Sequence, residues 1–330
     1  LYNALLYNLI NMIQYITSIL NSNNSNQATY KWLLTIAIVY AGVKLVNTSK
    51  TPFTIAEGFN QNKPYVYKKD EDIYDDFYSE VYDMLNNTIE RSDKELAHMI
   101  RLTSPDVNNS VFLDVGSGTG YTVDLLRKNG YKAYGVDKSK SMIEYAENLY
   151  PKSDFINNNV MDSMLFEQAS FTHILCTKMT LYQIQDKLKF LNNCYKWMIP
   201  NGYLILHLVD RKRFNIIKPR DDNEIKWQPF IEPKKKRIKK IISEYEDFKY
   251  KAAYNFPVNL EESPISSYTE TFTDKVTNNI RHQEMVLYIE DIREILNIAK
   301  KAGFIFHAKV DMENDIGDDN QYLYILERPH

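Results

Sequence analysis

Asp114-Val115-Gly116-Ser117-Gly118-Thr119-Gly120 lies between an apolar run, Val111 to Leu113, and a stretch from Tyr121 to Lys128 that puts Val123, Leu125 and Leu126 on its apolar side. The first run reads as a buried strand and the second as a helix. A strand, a glycine-rich turn and a helix form a unit that cradles a nucleotide-like ligand. Glycine lets the backbone come close, and the helix N-terminus offers unpaired N–H groups. The spacing departs from the dinucleotide fingerprint G-x-G-x-x-G. The third glycine comes one residue early, and Tyr121 stands where that fingerprint wants glycine. Asp114, two positions before the first glycine, would repel a pyrophosphate and suits a ligand with an ammonium group. A glycine turn that binds nothing is the plain alternative, so the rest of the chain must decide.

S-adenosylmethionine (SAM) carries an ammonium, a sulfonium and no phosphate. The stretch resembles the first motif of the class I SAM-dependent methyltransferases, an acidic residue followed by x-G-x-G-x-G. That resemblance implies SAM as cofactor, with Asp114, Gly116, Gly118 and Gly120 at its site. Downstream residues extend it. Lys132 to Val136 reads as a second strand ending in Asp137, whose carboxylate can accept both hydroxyls of a ribose. Ser139 is a candidate N-cap for a helix through Leu149. In the family the side chain at the Met142 position lies against the adenine, while ordinary core packing is the other reading of this Met. Asp154 to Ile156 reads as a third strand, and Asp162 resembles the family's acceptor for the adenine amino group. Phe171 to Cys176 is a fourth strand with Thr177 at its carboxyl end. Gly202 to Val209 is the fifth, after a helix from about Asp186 to Met198 and a Pro200-Asn201-Gly202 turn.

The expected fold is therefore α/β: a seven-stranded, mostly parallel sheet with helices on both faces. The methyltransferase domain is read over residues 70–330, with an antiparallel β insertion after the fifth strand at about 211–288 and a turn at Thr277-Asn278-Asn279. Ile289 to Ala302 reads as the last helix with Gly303 as its C-cap, before two antiparallel strands at Phe304 to Val310 and Tyr322 to Glu327. The insertion's position resembles that of sugar N-methyltransferases and related small-molecule enzymes, where such strands form a lid or a homodimer surface. Ile73 to Leu85 is an acidic, Tyr-rich helix resembling the one that covers cofactor and substrate in that group. Tyr78 and Tyr82 lie one turn apart on it and can face the site together, or simply pack the helix on the sheet.

The first 50 residues differ in kind. Leu1, Leu5, Leu9, Met12, Ile16 and Ile19 recur at helical spacing, and Trp32 to Val46 is apolar except for Lys44. The reading is N-terminal hydrophobic helices of which Trp32 to Val46 is a short membrane anchor, followed by a linker over residues 51–69. Lys50, Lys63, Lys68 and Lys69 would keep the catalytic domain on the cytoplasmic side. The alternatives are a signal peptide, which the long polar segment before Trp32 disfavours, a helix buried against the domain, and a soluble cytoplasmic protein. Because the chain starts with Leu1, residues preceding it are also expected.

Methyl transfer from a sulfonium is an in-line displacement, so alignment and water exclusion matter most, and a base is needed only if the acceptor loses a proton as it attacks. Catalytic candidates at the strand ends are His207, by its intrinsic pKa, and Tyr182, with His282 reaching in from the insertion. The expected acceptor is a small molecule with an N or O nucleophile. A non-catalytic scaffold with this fold, a methyltransferase for RNA or protein, and a nucleotide-dependent oxidoreductase are the competitors. Thr177-Lys178-Met179-Thr180 stands where adenine-N6 and glutamine-amide enzymes carry Asn/Asp-Pro-Pro-aromatic, and cytosine-C5 chemistry lacks its Pro-Cys pair. A net charge of −3 gives no global attraction to nucleic acid, and none is expected as partner. The basic run from Lys234 to Lys240 reads as a solvated strand edge or a phosphate contact. Cys176 and Cys194, lacking metal spacing, read as reduced core residues, and no metal is expected.

Overall fold

A computed structural model describes residues 63–216, 237–259 and 263–330. In chain order the elements are β1 (Tyr65–Lys69), a 3-10 turn (Asp70–Ile73), α1 (Asp76–Asn86), α2 (Thr88–Thr103), β2 (Val111–Val115), α3 (Tyr121–Lys128), β3 (Lys132–Asp137), α4 (Lys140–Leu149), β4 (Asp154–Asn157), β5 (Phe171–Cys176), α5 (Thr180–Gln183), α6 (Lys187–Trp197) and β6 (Met198–Val209). There follow β7 (Lys240–Glu244), β8 (Phe248–Asn255), β9 (Ile265–Asp274), β10 (Ile280–Tyr288), α7 (Ile292–Lys301), β11 (Ile305–Asp311), α8 (Glu313–Ile316) and β12 (Gln321–Glu327).

Seven strands form one sheet in the order β11-β12-β6-β5-β2-β3-β4. β2 to β6 run parallel, and β12 lies antiparallel between β6 and β11. The chain winds outward in one direction through β3 and β4, then restarts beside β2 with β5 and β6. This reversal opens a crevice past the carboxyl ends of β2 and β5, where ligands of open α/β sheets bind. One face is packed by α2 and α3 through Leu96, Met99, Val123 and Leu126. The other is packed by α6 and α7 through Phe190, Cys194, Trp197, Ile295 and Ala299. Each such fully buried apolar side chain contributes roughly 1.5–3 kcal/mol.

The insertion forms a second sheet, β1-β10-β9-β8-β7, antiparallel except for the β1–β10 pair. Strict alternation buries one face of it, with Arg281, Gln283, Met285 and Leu287 inward along β10. Phe248, Tyr250 and Phe272 join the core of the large sheet, and Phe77 of α1 meets Phe272 edge-on at 5.1 Å. Asp75 caps α1 by accepting the Tyr78 N–H, and Arg281 grips the same carboxylate at 2.9 and 3.0 Å. One aspartate thus starts the helix and ties it to β10.

Three features differ from the sequence reading. Tyr65–Lys69, inside the expected linker, is a strand, because β10 offers it a parallel edge more than 200 residues away in sequence. α2 is a helix that the sequence reading leaves unassigned. β6 begins at Met198 and carries the Pro200-Asn201-Gly202 turn within it as an irregularity, with Asn201 at φ +61°. The hydrophobic segment over residues 1–50 and the lysines at 234–236 lie outside the described residues. Among the described residues no helix is long and apolar enough to cross a membrane. Cys176 and Cys194 are buried free thiols.

Candidate functional site

The glycine turn is fastened to the end of β3, where the Gly116 and Ser117 N–H groups donate to the Val136 carbonyl at 2.8 and 3.1 Å. Two of its glycines serve different ends. A Cβ at Gly120 would lie 2.5 Å from Phe155 and 2.8 Å from Ala146, so that glycine lets α3 settle against β4 and α4. At Gly118 (φ +52°) a Cβ would meet only Tyr82, at 3.8 Å, so its backbone faces open space.

That space is a cavity of about 340 Å³. Val115, Gly116 and Gly118 form its floor, and Val136, Asp137, Lys138 and Met142 one side. Asn158 to Met161 close it beyond β4, and Thr180 and Gln183 to Asp186 beyond β5. Glu71, Tyr74 and Tyr82 reach over from the 3-10 turn and α1. Asp137 anchors the arrangement: its two oxygens accept the N–H groups of Gly118 (3.0 Å) and Ser139 (2.9 Å). Burial pushes its carboxyl pKa up, against those two donors. Each oxygen keeps a lone pair free, which suits two adjacent hydroxyls. Ser139 in turn caps α4 by accepting the Met142 N–H at 3.1 Å, and so sets Met142 in the wall.

Asp114 sits one residue behind the floor, 3% exposed, and no described residue donates a hydrogen bond to its carboxylate. Burial pushes its pKa up to about 7; the Lys178 charge pulls it down, and Glu95 and Asp137 push it further up. A buried carboxylate without a partner is costly unless a cation comes to it. The residues present thus fit SAM: a glycine floor open to a ligand, a pinned carboxylate with spare acceptor capacity, and an unmatched buried carboxylate suited to an ammonium.

Of the residues named from the sequence, the structure brings Gly116, Gly118, Asp137, Met142 and Tyr82 together around the cavity. Gly120 and Asp114 support it from behind. Asp162 is exposed and accepts the Met164 N–H, while the preceding Asn158 to Met161 form the wall. Thr177 is buried below Thr180, and Tyr78 turns away to donate to Glu270 at 2.7 Å.

The catalytic candidates stand apart from the cavity. Tyr182 is fully buried, its hydroxyl oxygen accepts the Val209 N–H at 2.9 Å, and burial holds its pKa well above the ordinary value. His207 is also fully buried, between the Lys178 carbonyl and Gln321 Oε1. Burial, with the Arg91 charge beside it, pushes its pKa down to about 3, so it is neutral and its single N–H goes to one of those two acceptors. It joins β5, β6 and β12 and is no base for this cavity. His282 lies on the outer face of the second sheet, stacked on Tyr67 and bonded to Thr271. The sequence reading missed Tyr74, whose hydroxyl accepts from Gln183 at 2.8 Å, and the Asn158–Asn159 pair. The tyrosine run offered Tyr74 as readily as Tyr78, and only the helix start at Asp76 separates them. Among the described residues no cluster of His, Cys, Asp and Glu could hold a metal.

Residues 113–206, from β2 to β6, match a methyltransferase domain family. These residues form a methyltransferase domain. Over 101 residues it is 31% identical to the ubiquinone biosynthesis O-methyltransferase of Coxiella burnetii, a match covering 30% of this chain and 43% of that protein. The chain thus spans under half the length of the curated relatives it matches. Two solved structures share the fold over most of their length. The CcbJ methyltransferase of Streptomyces caelestis superposes with a TM-score of 0.59 at 13% identity, covering 79% of this chain and 100% of that one. CalS10, an amino pentose methyltransferase from Micromonospora echinaspora solved with SAM bound, gives a TM-score of 0.52 at 15% identity, covering 72% and 91%. Within the matched stretch, Asp114 to Gly120 runs from the end of the first strand, β2, through the glycine turn, and Asp137 ends the second, β3.

Proposed function

We propose that the chain transfers the methyl group of SAM to an N or O nucleophile on a small molecule. The observation that carries this reading is the Asp137 carboxylate, pinned by Gly118 and Ser139 at the side of the glycine-floored cavity. Asp137 would hold the ribose, Met142 and Val160 to Met161 would flank the adenine, and Asp114 would balance the ammonium. Asn158 and Asn159 supply polar groups where the sequence reading put Asp162. A small-molecule acceptor agrees with the names of the relatives, a ubiquinone biosynthesis O-methyltransferase and an amino pentose methyltransferase.

When bound, SAM supplies a methyl group already activated on a sulfonium. What remains for the protein is orientation and exclusion of water. Tyr74 and Tyr82 close the cavity from above, and Thr180 packs on Gly116 to fix the depth of the floor. No described imidazole faces the cavity, and burial keeps Tyr74 and Tyr82 protonated, so the acceptor would attack as a neutral amine or lose its proton to solvent or to a carboxylate at the rim.

We further propose that Trp32 to Val46 anchors the chain in a membrane with the domain on the cytoplasmic side; the support is its apolar run and the lysines that follow it. The central test is calorimetry with SAM and S-adenosylhomocysteine, then radiolabelled methyl transfer across a panel of amines, phenols and sugars. Binding with transfer to one acceptor class supports the reading. Binding without transfer to any class favours a scaffold, and no binding at millimolar cofactor defeats the proposal.

A further inference from the structure

Most buried ions in the described residues are matched. Arg281 gives its guanidinium to both oxygens of Asp75, to the Ile73 carbonyl and to Gln283. Lys187 is held by Glu290 and by the carbonyls of Ile184 and Tyr288. Glu270 accepts from Tyr78, Tyr250 and Gln283. Arg91 breaks the pattern. It is 1% exposed, and only its Nε is engaged, 2.6 Å from Glu95 Oε1 one turn along α2. Nη1 and Nη2 are both buried with no hydrogen-bond partner among the described residues. Nor does an aromatic face take them, as Phe256 takes Arg237 and Tyr195 takes Arg328.

The location of this free fork is informative. The next residue, Ser92, bonds to Thr122 in the first turn of α3 (3.1 Å) and accepts from the Lys178 amine (3.3 Å). Lys178 follows β5, and its backbone meets His207 near the end of β6. Arg91 is thus one residue along α2 from this junction of α3 with the ends of β5 and β6, and its charge reaches His207 within the junction. Its charge is felt by Tyr82, which lines the cofactor cavity, and by Tyr254 on the inner side of β8. Among the described residues Lys178 makes no ion pair, and its amine donates to the Ser92 hydroxyl.

We propose that Arg91 anchors an anionic oxygen pair, a carboxylate or a phosphate, on the methyl acceptor. Two guanidinium N–H groups held side by side match such a pair bidentately. Glu95 holds Nε and so turns the opposite edge of the fork toward the ligand. Lys178 adds a second positive charge beside it. The inference builds on the methyltransferase reading and narrows its acceptors to small molecules that bear an oxyanion away from the nucleophile.

The test uses the full chain as wild type, as Arg91→Lys, and as the double variant Arg91→Met with Glu95→Gln, which removes both members of the pair so that neither is left buried alone. Calorimetry with S-adenosylhomocysteine is run first. Acetate and, separately, inorganic phosphate are then titrated while the nitrogen resonances of the Arg91 guanidinium are followed, with calorimetry for the variants. The expected result is a saturable response in the wild type, at least tenfold weaker binding in Arg91→Lys, and none in the double variant. A response to acetate alone assigns a carboxylate, and to phosphate alone a phosphate. Silence toward both anions in folded wild type that binds S-adenosylhomocysteine overturns the anchor and leaves the methyltransferase reading standing, as does binding that persists in the double variant. If S-adenosylhomocysteine fails to bind, the methyltransferase reading falls, and the assignment of the anion to a methyl acceptor falls with it.

Discussion

Replacing Asp114 with Asn separates what this residue does for folding from what it does for the ligand. Its carboxyl is held at about 7 against an ordinary value of 3.8. The folded protein therefore binds a proton there that the unfolded chain has released, over the window between those values. Stability falls as pH rises through that window, and above about pH 7 the ionised carboxylate costs about 4 kcal/mol. Asn keeps the shape and removes the charge. Its amide must still be desolvated at about 1–3 kcal/mol, so Asp114→Asn should gain about 1–3 kcal/mol over wild type at pH 8 and lose that advantage at pH 5. Toward the cofactor the sign reverses. An ammonium near 4 Å in an effective dielectric of about 20 gains about 4 kcal/mol, and after desolvation one to two powers of ten in affinity should remain. Wild-type affinity for S-adenosylhomocysteine should also weaken, up to about tenfold per pH unit, as pH drops below 7. Urea unfolding at pH 5 and 8, and calorimetry from pH 5.5 to 7.5, read both effects. The same flat pH profile in wild type and variant would refute the pairing of Asp114 with an ammonium.

Asp137→Asn leaves either the Gly118 or the Ser139 N–H facing an amide donor; cofactor affinity should drop by about 1.5–3 kcal/mol, roughly 10- to 150-fold by calorimetry, and an unchanged value would remove the ribose role. Gly116→Ala places a Cβ 2.5 Å from Thr180 Cγ2 at φ +68°, so thermal unfolding should show a loss of about 1–3 kcal/mol; unaltered stability would mean the turn relaxes freely. His207→Gln should lower stability by about 1–3 kcal/mol while cofactor affinity stays within about twofold, and a selective loss of methyl transfer would restore this histidine as a base. Removing residues 1–47 should give a chain that no longer pellets with membranes, and continued pelleting would place the membrane contact elsewhere.

The cofactor side of the site is legible in the sequence because its chemistry is local. Asp114 and three glycines follow one another in one strand–turn unit, and Asp137 ends the next strand, which pairs in parallel with the first, so one β-α-β unit brings them together. The acceptor side is not local. Arg91 and Glu95 read as one of many i,i+4 charge pairs on a polar helix, and only the packing of α2 against the large sheet turns that pair into a buried ion pair. β1 is hidden for a related reason, since Tyr65–Lys69 becomes a strand only by pairing with β10. His207 misleads in the opposite direction. Its intrinsic pKa suggests a base, but a strand ending under β12 takes it out of water and removes that property. The Asp162 assignment slips by a few residues because a loop's lining depends on backbone direction, which no period encodes.

Unmatched charge is the common thread between the two halves of the site. Burial of an ion without a counter-ion is among the most destabilising things a fold can do, and this chain matches Arg281, Lys187 and Glu270 with care. Among the described residues it leaves Asp114, below the glycine floor, without a hydrogen-bond donor, and the outer edge of Arg91 buried without an acceptor. Their signs are opposite. A ligand pair that brings an ammonium to one and an oxyanion to the other would relieve both at once, whereas either ligand alone would relieve one. On this argument cofactor and acceptor should bind with positive coupling, because each leaves less uncompensated field for the other to meet. Affinity for an anionic acceptor measured with and without S-adenosylhomocysteine would expose it, and equal affinities would show that the two charges act independently.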